Sequence, residues 1–98
     1  MIEPTPPEFW ERADAVIHLA NEQCNDAPKG KVSSSLLYAA ARFNSFIVAS
    51  MAGDLDELNA DREEAISYFT EQYRKMLTEN LDDYIENYKE YFGKDAEA

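Results

Sequence analysis

The sequence predicts an all-α fold, a three-helix bundle in one domain with a long C-terminal helix. Three observations carry that expectation. Apolar residues recur with a period near 3.6 through three long segments. Turn-forming residues gather at 25–30 and again at Gly53 and Asp54, where they interrupt the period. No strand pattern and no internal repeat is visible along the chain.

The first helix is expected over about 6–25. Thr5-Pro6-Pro7-Glu8 reads as its start: Thr5 as cap, proline in a turn that needs no amide donor, and Glu8 three positions after the cap to complete a capping box. Phe9, Ala13, Val16, Ile17, Ala20 and Cys24 follow at helical spacing, with Glu11, Asp14, His18 and Glu22 opposite. Asn25-Asp26-Ala27-Pro28-Lys29-Gly30 then reverses the chain. The second helix is expected over about 31–52, with Gly53 as the left-handed residue after its end. Its stretch LLYAAARFNSFIVASMAG, residues 36–53, holds a single charge, Arg42. One face carries Val32, Leu36, Ala40, Phe43 and Ile47, a second carries Leu37, Ala41, Val48 and Met51, and only Tyr38, Arg42 and Ser45 form a polar line.

Asp54 and Glu57 stand at capping-box spacing for the third helix, expected over about 55–92. From Ala65 to Phe92 the apolar positions keep the helical period with no glycine or proline between them, and Glu71 and Lys75 stand four apart as a favourable pair. Unbroken from 61 to 92, this helix would be about 48 Å long against about 33 Å for the second, and would overhang its neighbours. The alternatives are a kink, or a break at Asn80-Leu81-Asp82-Asp83 with Asn80 capping a short fourth helix that ends at Gly93. The polar tail 94–98 is expected to be disordered.

Composition narrows the function classes. With 45% hydrophobic and 30% charged residues, a folded chain with a core is expected. The net charge is −11 and lies mostly in one half: residues 1–53 hold four basic and six acidic side chains, residues 54–98 five and fourteen. A field of this sign opposes nucleic acid and anionic membranes. Cys24 is the one cysteine, so an internal disulfide and a Cys-pair zinc site are excluded, and a reduced compartment is implied. MIEPTPPEFWER has no basic leader or apolar run, and no apolar segment approaches the roughly 20 residues of a membrane span, so a cytoplasmic protein is expected.

Motifs for chemistry are weak. His18 has Asp14 and Glu22 four positions to either side, but no Glu-x-x-His pair, and it reads as an exposed histidine rather than a metal ligand. Asp54-x-Asp56 lacks the later residues of a calcium loop, and Pro28-Lys29-Gly30-Lys31 lacks a phosphate-loop framework. Cys24 reads as a buried small hydrophobe. Neither a metal nor a cofactor is expected. Arg42, with Tyr38, Asn44 and Tyr73, is the candidate polar cluster, serving either as a structural ion pair or as the anchor of a ligand in an interhelical pocket. Tyr68, Tyr73, Tyr84, Tyr88, Tyr91 and Phe92 lack the interleaved basic residues of a base-stacking surface and read as core or interface.

Three blocks, FWERADAVIHLANEQ at 9–23, KVSSSLLYAAARFNSFIVAS at 31–50 and DREEAISYFTEQYRKMLTENLDDY at 61–84, resemble a family of small, mostly proteobacterial proteins, domain of unknown function 3144. The motifs YAAARFNSF and EQYRKMLTENLDDY are the most specific. The resemblance implies a bacterial cytoplasmic protein with a compact helical fold, and it brings no activity and no catalytic residues. Residues 85–98 lie outside it.

The second helix has more apolar circumference than a three-helix bundle uses. The expected function is therefore a non-enzymatic interaction or regulatory module that forms a homodimer. Leu37, Ala41, Val48 and Met51, with Tyr84, Tyr88 and Phe92 on the overhang, are the candidate interface, and the acidic outer face suits a protein partner with a basic surface. The alternatives are a ligand-binding protein or enzyme built around Arg42, and mimicry of nucleic acid by the acidic helix.

Overall fold

The computed structural model of the chain describes residues 5–93, and all its regular structure is helical: α1 (Pro7–Gln23), α2 (Lys29–Met51), α3 (Leu55–Glu86) and α4 (Tyr88–Phe92). Three long helices and a short one establish the all-α class, and no strand occurs among the described residues. The tail 94–98 lies outside them. The chain divides into two compact units, Met1–Ala49 and Ser50–Ala98.

The first unit holds α1 and nearly all of α2. Thr5 does not cap α1; the N-cap is Pro6, extended at φ −68° and ψ 152°, with no side-chain cap bond. A residue that precedes proline is driven out of the helical region, so Pro7 holds Pro6 extended and moves the start one position past the expected one. The first bond runs from the Phe9 N–H to the Pro6 carbonyl at 3.0 Å. At the far end, Cys24, Asn25 and Asp26 donate to Asn21, Glu22 and Gln23 at 3.0–3.1 Å, a tightening that unwinds the helix. The next helix starts at Lys29 rather than 31, because the Pro28 carbonyl takes both the Lys31 and the Val32 N–H, at 3.0 and 3.1 Å. Gly30 lies within that first turn and not in a reversal.

Gly53 is likewise not the left-handed exit of α2; among the described residues the only glycine with positive φ is Gly93, at 67°. Gly53 belongs to the entry of α3. Its N–H donates to Glu57 Oε1, while Asp54 Oδ1 accepts the Glu57 N–H at 2.8 Å. The expected capping box is therefore made, with its return bond one residue further out. A Cβ on Gly53 would sit 3.4 Å from that Glu57 oxygen, an ordinary contact, so the position does not require glycine.

In the second unit, α3 runs unbroken for 32 residues, about 48 Å. Asn80 does not start a new helix: its side-chain amide donates to the Met76 carbonyl at 2.7 Å and the helix continues. The interruption comes at Asn87, with φ −113° and ψ 29°, before the single turn of α4. Gly93, left-handed, closes α4 with an N–H bond to Lys89 at 2.7 Å. Glu71 and Lys75 form no ion pair; among the described residues the pairs are His18 with Glu22 at 3.5 Å and Arg62 with its neighbour Glu63.

Within each unit taken by itself no described residue is buried, and Cys24, read as buried, is half-exposed. The half-buried positions still keep helical spacing: Ala13, Ala20 and the C-cap Cys24 along α1, and Leu58, Asp61, Ala65, Phe69 and Gln72 on α3. The stripes are thus where the period puts them. A helix pair covers only one side of each stripe, and a closed interior needs a further layer.

Candidate functional site

Three surfaces gather the residues that matter. The first is a groove between α1 and α2. Val16, Leu19 and Ala20 of α1 face Val32, Leu36 and Ala39 of α2 across a space of about 220 Å³, with Gln23 and Ser35 as its polar members. No Cα of α1 comes within 8 Å of a Cα of α2. Helices in full contact lie about 8–10 Å apart axis to axis, which brings backbones closer than this, so the groove is left open. Leu19 is 57% exposed and Leu36 37%. Leu19 was missing from the apolar stripe read in the sequence, which ran through Val16, Ile17 and Ala20.

The second surface is the other apolar face of α2. At about 100° per residue, Leu37, Ala41, Val48 and Met51 share a sector roughly 150° from the groove. Val48 is half-buried, Ala41 is exposed, and Leu37 and Met51 are 53% and 78% exposed. The polar candidates are divided between the units. Tyr38 and Arg42 are exposed neighbours on one side of α2, and no ion pair reaches Arg42 among the described residues. Asn44, half-buried, points roughly 160° away from Arg42. Tyr73 stands on α3, 47% exposed.

The third surface is the corner between α3 and α4. Asp83 holds it together: its carbonyl accepts the Asn87 N–H at 2.9 Å, its Oδ1 accepts the Asn87 side-chain amide at 2.8 Å, and its Oδ2 accepts the Tyr91 hydroxyl at 2.6 Å. The hydrogen bond to Asp83, then that carboxylate's charge, raises the Tyr91 hydroxyl above its ordinary value of 10.0. Around this knot the predicted interface aromatics do meet, with Tyr88 and Phe92 ring centres 5.0 Å apart and Tyr84 and Phe92 6.0 Å. Tyr91 joins Tyr84 at 4.8 Å. The i, i+4, i+8 spacing of Asp83, Asn87 and Tyr91 is the sequence signal that would have located this corner.

Chemistry is sparse. His18 pairs with Glu22, and among the described residues no three His, Cys, Asp or Glu side chains converge as metal ligands. Among the described residues no helix is long and apolar enough to cross a membrane. The arrangement is that of an all-helical protein whose distinguishing surfaces are apolar faces. Residues 9–85 match the family described as Protein of unknown function (DUF3144), and the chain belongs to that family. It is similar to the solved NMR structure of the protein NB7890A from Shewanella sp, at 32% identity over 91% of this chain and 95% of that one, with a TM-score of 0.74. No curated protein matches the chain.

Proposed function

We propose that the protein is a non-enzymatic helical interaction module whose core is completed when the chain associates with a second copy of itself. The observation that supports this reading is the apolar circumference of α2: Val32 and Leu36 lie on one face, Leu37, Val48 and Met51 on another, and Arg42 is the one charged side chain of residues 32–53. In proteins most helical stability comes from tertiary packing of an apolar face, so the spare apolar face of α2 gains by being covered. A second copy is the partner always present with the first.

In this reading the apolar faces of α2 lie in the contact, and the acidic residues of 54–98 face outward in a cytoplasmic protein. That outer charge repels nucleic acid and steers partners with basic surfaces toward it. Light scattering during size-exclusion chromatography tests the reading. A mass of about two chains at micromolar concentration is the expected result. A mass of one chain at every concentration overturns it.

A further inference from the structure

We infer that the bend at Asn87 is a latch and not a helix end: Asp83 holds Tyr91 out of line with α3, and freeing that carboxylate lets α3 run on to Phe92 as one helix.

Nothing in the local sequence stops the helix at this point. Residues 84–92, YIENYKEYF, contain no glycine or proline, and the left-handed Gly93 supplies the exit in either form. Helical bonds to the carbonyl four residues back stand on both sides of the bend, from the Asn87 N–H to Asp83 at 2.9 Å and from the Tyr91 N–H to Asn87 at 3.1 Å. A single residue, Asn87 at φ −113° and ψ 29°, makes the corner. Asn80 shows that asparagine is not the cause. Its side-chain amide also donates to the carbonyl four residues back, at 2.7 Å, and α3 passes straight through it.

What distinguishes Asn87 is the Asp83 carboxylate, whose Oδ1 takes the Asn87 side-chain amide at 2.8 Å and whose Oδ2 takes the Tyr91 hydroxyl at 2.6 Å. In a straight helix, residues eight apart are separated by about 12 Å along the axis and residues seven apart by about 10.5 Å. The Asp83–Tyr91 bond, and the approach of the Tyr84 ring to Tyr91 at 4.8 Å and to Phe92 at 6.0 Å, therefore exist because the chain turns. Both ends of each of these contacts lie within residues 83–92. A hydrogen bond to a carboxylate is roughly twice as strong as one between neutral groups, which makes Asp83 the tie that counts most.

Straightening changes the helix surface. Leu77, Leu81, Tyr84, Tyr88 and Tyr91 follow one another at spacings of four, three, four and three, the pattern by which one helix packs along another. The bend folds Tyr91 back on Tyr84, so the seam stops short of it. Asp83 thus sets whether the seam reaches Tyr91.

NMR of the full chain, wild type beside Asp83→Ala and Tyr91→Phe, tests the latch, with residues 58–76 as the unchanged reference. In the wild type, ring NOEs join Tyr84 to Tyr91 and the Cα shift of Asn87 is non-helical. In Asp83→Ala those NOEs should vanish, the Asn87 shift should become helical, and Hα-to-Hβ NOEs three residues apart should run unbroken from Tyr84 to Phe92. Tyr91→Phe keeps the ring and loses only the hydroxyl, and should move the same signals in the same direction. Variants that keep the bend overturn the latch. Variants in which residues 88–92 lose their helical shifts also overturn it, because Asp83 would then be folding α4 and not bending it away from α3.

Discussion

The two units of the chain hold their shape by different means. The second is acidic and fixes itself locally: Asp54 and Glu57 cap α3, and Asp83 ties Asn87 and Tyr91 into the α3–α4 corner. The first is nearly neutral, lacks a side-chain cap on α1, and faces its helices across an open apolar groove. The difference teaches that hydrogen bonds can set the path of a chain where apolar packing is sparse. Burial is the dominant favourable term in folding, and the first unit is the region richest in apolar surface with the fewest polar ties.

That contrast breaks most sharply under a charge placed in the first unit. Leu36→Glu loses about 1.5–3 kcal/mol of burial and adds the cost of desolvating a carboxylate, so the dimer dissociation constant should rise at least about 100-fold by sedimentation equilibrium. Ile85→Glu in the second unit, at a position 70% exposed, should leave the mass unchanged. Equal effects of the two variants would erase the distinction between the units.

Concentration is the next lever. If association completes the core, a tenfold increase in chain concentration adds about 1.4 kcal/mol to the folded side and should raise Tm by roughly 3–6 °C. A Tm independent of concentration would return the source of stability to the single chain. The caps of the second unit act on a smaller scale. Asp54→Ala removes the acceptor of the Glu57 N–H and should cost about 1 kcal/mol in thermal or denaturant unfolding. Asp54→Asn, which keeps an acceptor, should recover most of that loss.

The smallest effect concerns the corner. Because Tyr91 has a raised value in the folded chain, the unfolded chain releases that proton first as pH rises. The bond's contribution is therefore complete below the ordinary tyrosine value of 10.0 and is lost as pH climbs through the higher folded value. Ultraviolet titration should show one tyrosine ionising late in the wild type and missing in Tyr91→Phe. A late tyrosine that persists in the variant would place the effect elsewhere.

Much of this fold was legible in the sequence because its signals are local. The 3.6 period gave the three long helices, and Asp54 with Glu57 gave the α3 cap. The misreadings have physical causes. Pro6 looked like a first-turn residue, but Pro7 after it forces it extended. Gly30 and Gly53 looked like breakers, yet one sits in a first turn and the other lends its N–H to a cap. Asn80 and Asn87 have the same side chain and make the same bond to a carbonyl four residues back. Only Asn87 also finds a carboxylate there and a tyrosine hydroxyl on that carboxylate's other oxygen, and the helix stops at that point. A three-residue agreement of this kind is hard to weigh from composition or period. The groove was not legible for another reason: a sequence shows which faces are apolar, but not whether its own helices cover them.

The most direct measurement is a dilution series of the full chain followed by far-ultraviolet circular dichroism and sedimentation together. If the interior is completed between copies, helix content and mass fall in the same concentration range, because separated chains lose the packing that holds their helices. A species of 11.2 kDa that keeps its full helix content and melts cooperatively at the lowest concentration would contradict the account.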